Sequence, residues 1–316
     1  MNEDKLHIQN YRYLIIGGTT KAATTSVFYY LADHPQVCAA FRKETRFFLD
    51  QDYINPSLYR YEDGLEKYET FFLNTSSAKL RIEATPEYLY SSGTPYKINN
   101  SLPKAKILFI LREPISRLIS WYRFAMQAGI IAGNISFDEY VIQQFHNKEN
   151  IKKNLRILEQ SLYSNYLKSY FEVFSKDRVH VIFYENLSNN PEIVLKEICM
   201  FGDIDPEFFS NYNFEVLNRT EKMRSVKVHK AYINIRKLIN IKLPRVYKSL
   251  RKIWMPLKPI YLNLNTVQTE NVLISPTTKA FLSDYYGQEA NSLASLLGKP
   301  VPWQSAQLFS NKIYYE

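Results

Sequence analysis

Cysteine is almost missing from this chain: Cys38 and Cys199 are its only two among 316 residues. Two cysteines so far apart fit the reduced thiols of a cytoplasmic protein better than a disulfide framework. Glycine is scarce too, at nine residues, and no internal repeat, low-complexity tract or obvious linker interrupts the chain. No apolar run approaches the length that spans a bilayer. The first ten residues, MNEDKLHIQN, are polar and partly acidic, unlike a secretory signal, which predicts a soluble, cytoplasmic protein. No group of His, Cys, Asp and Glu shows metal-ligand spacing, and none of the familiar nucleic-acid-binding motifs occurs.

What is present is aromatic and apolar. Tyr contributes 25 residues and Phe 19, and 46% of the chain is hydrophobic, enough for one substantial core. The net charge of +9 is unevenly placed. Residues 219–252 hold twelve Lys or Arg against one acid, Glu221, so the rest of the chain is slightly acidic. Within this block, 229–241 and 244–257 read as two amphipathic helices. Their cationic sides suit an anionic membrane surface, an acidic acceptor, a nucleotide or plain solvent.

The chain is organised around residues 11–31, YRYLIIGGTTKAATTSVFYYL. Leu14-Ile15-Ile16 reads as a buried strand, Gly17 and Gly18 as a tight turn, and Val27, Phe28 and Leu31 as one face of a helix. Strand, turn and helix in that order aim free N–H groups and a positive dipole end at one spot, which suits a phosphate or sulfate. Lys21 adds a cation, the small residues Ala22 and Ala23 follow, and Thr24, Thr25 and Ser26 add hydroxyls. This is not a Walker A loop, because Ala22 leaves no hydroxyl at the Mg²⁺ position. An ordinary βα turn with a surface lysine is the plain alternative.

Two later segments add chemistry. Phe41-Arg42-Lys43-Glu44-Thr45-Arg46-Phe47-Phe48 sets a carboxylate among cations and rings, so Glu44 is either a general base or half of a surface salt bridge. Residues 103–111, PKAKILFIL, form the clearest central strand and deliver Arg112 to the edge where α/β proteins bind ligands. Arg112, with Ser120 about two turns into the next helix, makes a second anion clamp from a fork of donors and a hydroxyl. A second strand, 80–84, runs into a turn carrying Glu83 and Glu87. Helix is expected across 125–160, with Phe137, Tyr140, Val141 and Phe145 inward. One last helix runs from the Ser275 cap to Gly298.

Taken together, these segments resemble the PAPS-dependent sulfotransferases (PAPS is 3′-phosphoadenosine 5′-phosphosulfate), particularly heparan-sulfate-type and bacterial members. Lys21 to Ser26 is similar to the family's 5′-phosphosulfate loop. Ala23 stands where Gly is frequent, a change that a negative φ would accommodate. Lys43, Glu44, Phe47 and Phe48 match Lys-Glu-x-x-Phe-Phe, whose Glu is the family's catalytic base. LREPISRLISWY closely resembles the 3′-phosphate motif, Arg-[DE]-Pro-x-x-Arg-x-x-Ser-x-[YF]. Glu83 to Tyr88 matches Glu-x-[TS]-Pro-x-Tyr, with Ala84 in place of the Lys common in glycosaminoglycan members, which argues against a heparan-like acceptor. Tyr163 stands where a family Tyr lies near the nucleotide. Arg219 and Arg224 stand in the region of a loop over the adenine and 3′-phosphate.

The resemblance implies a single α/β domain over 1–316, of P-loop type, with a mostly parallel central sheet flanked by helices and a basic helical insertion or cap at 219–265. It implies sulfuryl transfer from PAPS, without a metal, to a hydroxyl or amine of a carbohydrate, glycolipid or small natural product. Lys21 would meet the charge on the leaving oxygen, Arg112 and Ser120 would hold the 3′-phosphate, and Glu44 would take the acceptor proton. His34 could serve as a base by residue type, but His34-Pro35 reads as a helix stop. Two rival readings stand beside this one: a P-loop kinase or NTPase, and a non-catalytic protein that binds anionic glycans or membrane surfaces.

Overall fold

The computed structural model describes residues 11–53, 57–72, 78–132, 134–214 and 272–303, together with the backbone of 222–223 and 266–267. Five strands form one sheet: β1 (Tyr13–Gly18), β2 (Val37–Ala39), β3 (Leu80–Ala84), β4 (Ala105–Leu111) and β5 (Val179–Phe183). Their order is β2-β3-β1-β4-β5, and every pair is parallel. The chain leaves β1 toward β2 and leaves β4 toward β5. The neighbours β1 and β4 stay paired to their C-terminal ends, but the chains leaving them diverge, the arrangement in which α/β sheets form a ligand crevice between the loops.

Alternation along the strands builds two cores. Tyr13, Ile15, Ile107, Phe109, Leu111, Val181 and Phe183 point to one face, and Leu14, Ile16, Ile82, Leu108, Ile110 and Ile182 to the other. The second face is aliphatic and is covered by α1 (Thr24–Asp33) and α8 (Pro191–Phe201), through Val27, Leu31, Leu195 and Ile198. The first is aromatic. Phe47, Phe48, Tyr68, Phe71 and Tyr88 pack there. The further helices on that face are α3 (Thr94–Ser101), α6 (Tyr163–Val173) and α10 (Glu289–Leu297). Truncating Phe109, buried at the centre of that face, is expected to cost about 3–5 kcal/mol.

The remaining helices are α2 (Leu65–Glu69), α4 (Pro114–Ala128), α5 (Phe137–His146), α7 (Tyr184–Asn189) and α9 (Pro276–Tyr285). Helix α4 packs with α5 and α9 around Leu118, Trp121, Tyr140 and Leu282 in a third, smaller core. Two short strands, β6 (Lys222–Met223) and β7 (Thr266–Val267), pair antiparallel. The basic helices expected between them, with Arg219 and Arg224, lie outside the described residues.

Several expectations change. Gly17 and Gly18 do not make the turn; they belong to β1 and are extended. Glycine is needed there for space, because a Cβ on Gly17 would meet the Phe109 ring at 2.8 Å and one on Gly18 would meet Leu89 at 2.9 Å. The span 125–160 is not one helix. Gly129, at φ 63, ends α4, and 3₁₀ turns follow α5. Phe145 is half exposed and packs edge-on against Phe281 rather than lining a core. The last helix begins at the Ser275 cap and Pro276 as expected, but it is two helices, α9 and α10, and Gly298 at φ 65 ends the second.

Candidate active site

The β1–α1 turn sits at the crevice. Lys21 and Ala23 both adopt left-handed backbone, at φ 67 and 61. Ala23 is thus not at negative φ as the sequence suggested. It forms the N-cap of α1 in a conformation that favours Gly. Arg46, at φ 57, sits on the same edge of the sheet. Three of the four non-glycine residues with positive φ among the described residues thus gather here, a pattern typical of sites where function holds the backbone off its minimum. Helix α1 has no side-chain cap and no acidic residue in its first turn. Its positive dipole end therefore suits an external anion. Ala22 is buried, and its contribution is confined to the backbone; Thr24 and Ser26 are buried and Thr25 is half-buried.

Arg112, at the end of β4, reaches the same place. Its Nη1 donates to the Lys21 carbonyl at 3.3 Å, and its guanidinium lies 4.3 Å from the centre of the Tyr184 ring. The two expected anion sites are therefore neighbours along one edge. Burial, followed by the charge of Arg112, lowers the Lys21 pKa to about 8. Ser120 is half-buried on α4, which Arg112 leads into. The α4 N-terminus is already capped: Glu113 accepts the Ile115 and Ser116 amides at 2.8 and 2.6 Å. Anion contacts on this side must come from side chains.

Tyr163 is fully buried, with its hydroxyl donating to the Arg112 carbonyl at 2.7 Å. It braces Arg112 from below. His34 is also interior: Nδ1 accepts the Gln36 amide at 3.0 Å and Nε2 donates to the Asp205 carbonyl at 2.9 Å, so it ties α1 to the chain after α8.

Sequence reasoning gave Arg117 no role of its own. It is fully buried and makes no ion pair among the described residues. Its guanidinium donates to Thr19 Oγ1, the Thr20 carbonyl, Tyr90 OH, Gln160 Oε1 and Ser161 Oγ, at 2.7–3.3 Å. It fixes the start of the anion loop from behind and sets an interior cation beneath it. The legible signal was its place on the α4 stripe of Pro114, Leu118, Trp121 and Ala125, where an apolar residue is the rule.

The other end of the edge is rich in carboxylates. Lys43 Nζ reaches Glu44 Oε1 at 3.2 Å, and Arg46 Nη2 reaches Oε2 at 2.5 Å. Burial alone would raise the Glu44 pKa, but the two cations outweigh it and hold the group below the usual carboxylate range. Glu83 is interior, at 1% exposure, and accepts from Thr85 Oγ1 at 2.8 Å, Tyr88 OH at 3.0 Å and Tyr68 OH at 3.2 Å. Burial pushes its pKa up to about 7 against those hydrogen bonds. Tyr88 OH also accepts the Phe48 amide at 3.2 Å, so Glu83 anchors the turn that carries Glu44. Among the described residues, no three His, Cys, Asp or Glu side chains converge as metal ligands.

A parallel sheet with a lysine, an uncapped helix start and an arginine at adjoining strand ends defines an anion-binding α/β protein of nucleotide-site architecture. Within that class the chain belongs to the sulfotransferase domain family, whose model matches residues 12–244. It is similar to the membrane-associated sulfotransferase kil1 of Dictyostelium discoideum, 25% identical over 60% of this chain and 56% of that one. It is also similar to the human bifunctional heparan sulfate N-deacetylase/N-sulfotransferase 2, 27% identical over 64% of this chain and 22% of that protein. The chain thus spans between a fifth and three-fifths of the length of these relatives. The solved sulfotransferase of Alicyclobacillus acidocaldarius shares the fold, with a TM-score of 0.63 and 19% identity over 91% of this chain and 96% of that one. Among the described residues, no helix is long and apolar enough to cross a membrane.

Proposed function

We propose that this chain transfers the sulfuryl group of PAPS to an acceptor hydroxyl or amine. The observation that carries the reading is the meeting of Lys21, the uncapped start of α1 and Arg112 at the β1–β4 crevice. The donor set suits the nucleotide. Arg112 has a buried Nε with no acceptor among the described residues, on a guanidinium already at the anion loop. PAPS brings phosphates at both its 3′ and 5′ positions, and ATP would need no second clamp. In this scheme the α1 amides, with Thr24, Thr25 and Ser26, hold the 5′-phosphate, and Arg112 with Ser120 holds the 3′-phosphate. Lys21 meets the negative charge that grows on the leaving oxygen.

The step is an in-line displacement. An acceptor lone pair forms the new bond to sulfur as the bond from sulfur to the 5′-phosphate oxygen breaks. The acceptor proton passes to Glu44, and 3′,5′-phosphoadenosine leaves. Positioning and charge supply most of the rate. Sheet order supports this division: the loops after β1 and β4 take the nucleotide, and those after β2 and β3, with Glu44, face the acceptor. We assign the reaction to the cytoplasm, on the strength of only two widely separated cysteines, and to a metal-independent mechanism, because Ala22 replaces the Mg²⁺-binding hydroxyl of kinases. Family membership disfavours the kinase alternative. The relatives' names suggest a carbohydrate acceptor, and Ala84 argues against a heparan-like one.

The test is transfer from ³⁵S-labelled PAPS to a panel containing a desulfated glucosamine oligosaccharide, a glycolipid with free sugar hydroxyls and a phenol. Labelled product without added metal, lost in Lys21→Ala, is expected. No transfer to any acceptor or to water, with no binding of 3′,5′-phosphoadenosine, would refute the reading.

A further inference from the structure

The acceptor edge holds a carboxylate that the scheme above leaves idle. Arg46 Nη2 stands 2.5 Å from Glu44 Oε2 and 3.5 Å from Glu87 Oε1, so one nitrogen is shared by two carboxylates. The backbone of Arg46 is fixed: its left-handed turn is held by its amide donating to Thr85 Oγ1 at 3.1 Å. Its guanidinium is less constrained, since Nε has no acceptor among the described residues. Glu87 is the more sheltered carboxylate, with 14% of its side chain exposed against 34% for Glu44.

This geometry bears on a problem in the chemistry. A carboxylate clamped between Lys43 and Arg46 is a weak base, and a proton acceptor needs to lose part of that stabilisation as the proton arrives. Lys43 is the fixed member of the clamp, since its Nζ also lies 3.4 Å from the Ala84 carbonyl. Arg46 has an alternative partner only a short rotation away. The other charged or titratable groups around the pair are Arg42 on the Glu44 segment, and Tyr53 and Tyr90 beside Glu87. Glu83 lies beneath, behind Thr85. Burial, and then the charge of Glu44, push the Glu87 pKa up, so this carboxylate gains by drawing the guanidinium toward itself.

We propose that Glu87 is a positioning residue for transfer: it takes the Arg46 guanidinium from Glu44 as the acceptor moves in, freeing Glu44 to accept the acceptor's proton. The proposal rests on Glu44 being the base. It also assigns a purpose to a carboxylate that the family motif leaves open, at the second x of Glu-x-[TS]-Pro-x-Tyr.

The test is a double-mutant cycle on transfer from ³⁵S-PAPS, using the best acceptor of the panel, or water where none is better. Glu87→Gln should lower kcat roughly tenfold, the effect of about one pKa unit at the base, with KM for PAPS and the affinity for 3′,5′-phosphoadenosine unchanged. Glu87→Asp should recover most of the rate. In an Arg46→Gln background, or in Arg46→Asn if the Gln variant does not fold, Glu87→Gln should cost nothing further. An unchanged kcat in Glu87→Gln, or an equal loss with and without Arg46, overturns the proposal while leaving Glu44 in place. Full turnover in Glu44→Gln would instead overturn the base assignment beneath it.

Discussion

The two ends of the sheet's C-terminal edge handle charge in opposite ways. Over β1 and β4, Arg112 donates to the Lys21 carbonyl, and burial, followed by the charge of Arg112, lowers the Lys21 pKa. Over β2 and β3, Lys43 and Arg46 lie on a carboxylate and lower its pKa. Like charges held close gain from an arriving anion, whereas cations already salt-bridged to a carboxylate gain less. Cations alone therefore do not mark a nucleotide pocket. Both ends carry cations in sequence, and in the proposed scheme only the β1–β4 end takes the doubly phosphorylated ligand.

Removing Lys21 should break the comparison most severely. Lys21→Ala loses a ground-state contact and a transition-state charge, so kcat/KM for PAPS should fall by about 10⁴. Steady-state kinetics with labelled PAPS would show it, and a loss below tenfold would mean that Lys21 stands outside the site. Glu44→Gln should cut kcat by about 10³ with the dissociation constant of 3′,5′-phosphoadenosine unmoved, because the base serves only the acceptor end. A matched loss of nucleotide affinity would merge the two ends into one.

A third perturbation bears on stability. Glu83 has a folded pKa near 7, above its unfolded value. The folded state thus holds a proton that the unfolded chain has released between about pH 4.5 and 7, and stability falls as pH rises through that window. The total is about 3 kcal/mol. Glu83→Gln should remove this slope in urea titrations at pH 5 and pH 8, and an identical slope in both proteins would show that Glu83 stays ionised. The smallest effect belongs to Lys21 itself. With its pKa lowered to about 8, the free protein gives up this proton above pH 8, and nucleotide binding must restore it. Affinity should fall by up to about tenfold per pH unit above 8, with proton uptake visible by calorimetry in buffers of different ionisation heat.

Apolar runs and the βα pattern made the sheet and the positions of Lys21 and Arg112 readable in advance, because each follows a strand with a clear apolar run. Glu44 follows the three-residue β2 and was legible only through its resemblance to Lys-Glu-x-x-Phe-Phe. What was not readable depends on contacts distant in sequence. Gly17 and Gly18 looked like turn residues, and only the Phe109 and Leu89 side chains explain them. Ala23 in left-handed backbone has no local signature, since alanine rarely adopts it. Tyr163 was expected beside the nucleotide, and the bond its buried hydroxyl donates to the Arg112 carbonyl had no sequence signal. Arg117 looked like one more helix arginine, yet its donors bind residues 97 and 98 positions earlier and 43 and 44 later. The break between α9 and α10 lay within one continuous apolar pattern.

The central claim is that the β1 and β4 ends form one pocket with separate donors for the 5′- and 3′-phosphates. Calorimetric titration of the parent and of Arg112→Ala with 3′,5′-phosphoadenosine and with 5′-AMP tests it most directly. The parent should prefer the doubly phosphorylated nucleotide by about 100-fold, and Arg112→Ala should bind the two alike. An undiminished preference in Arg112→Ala, or no preference in the parent, would contradict it.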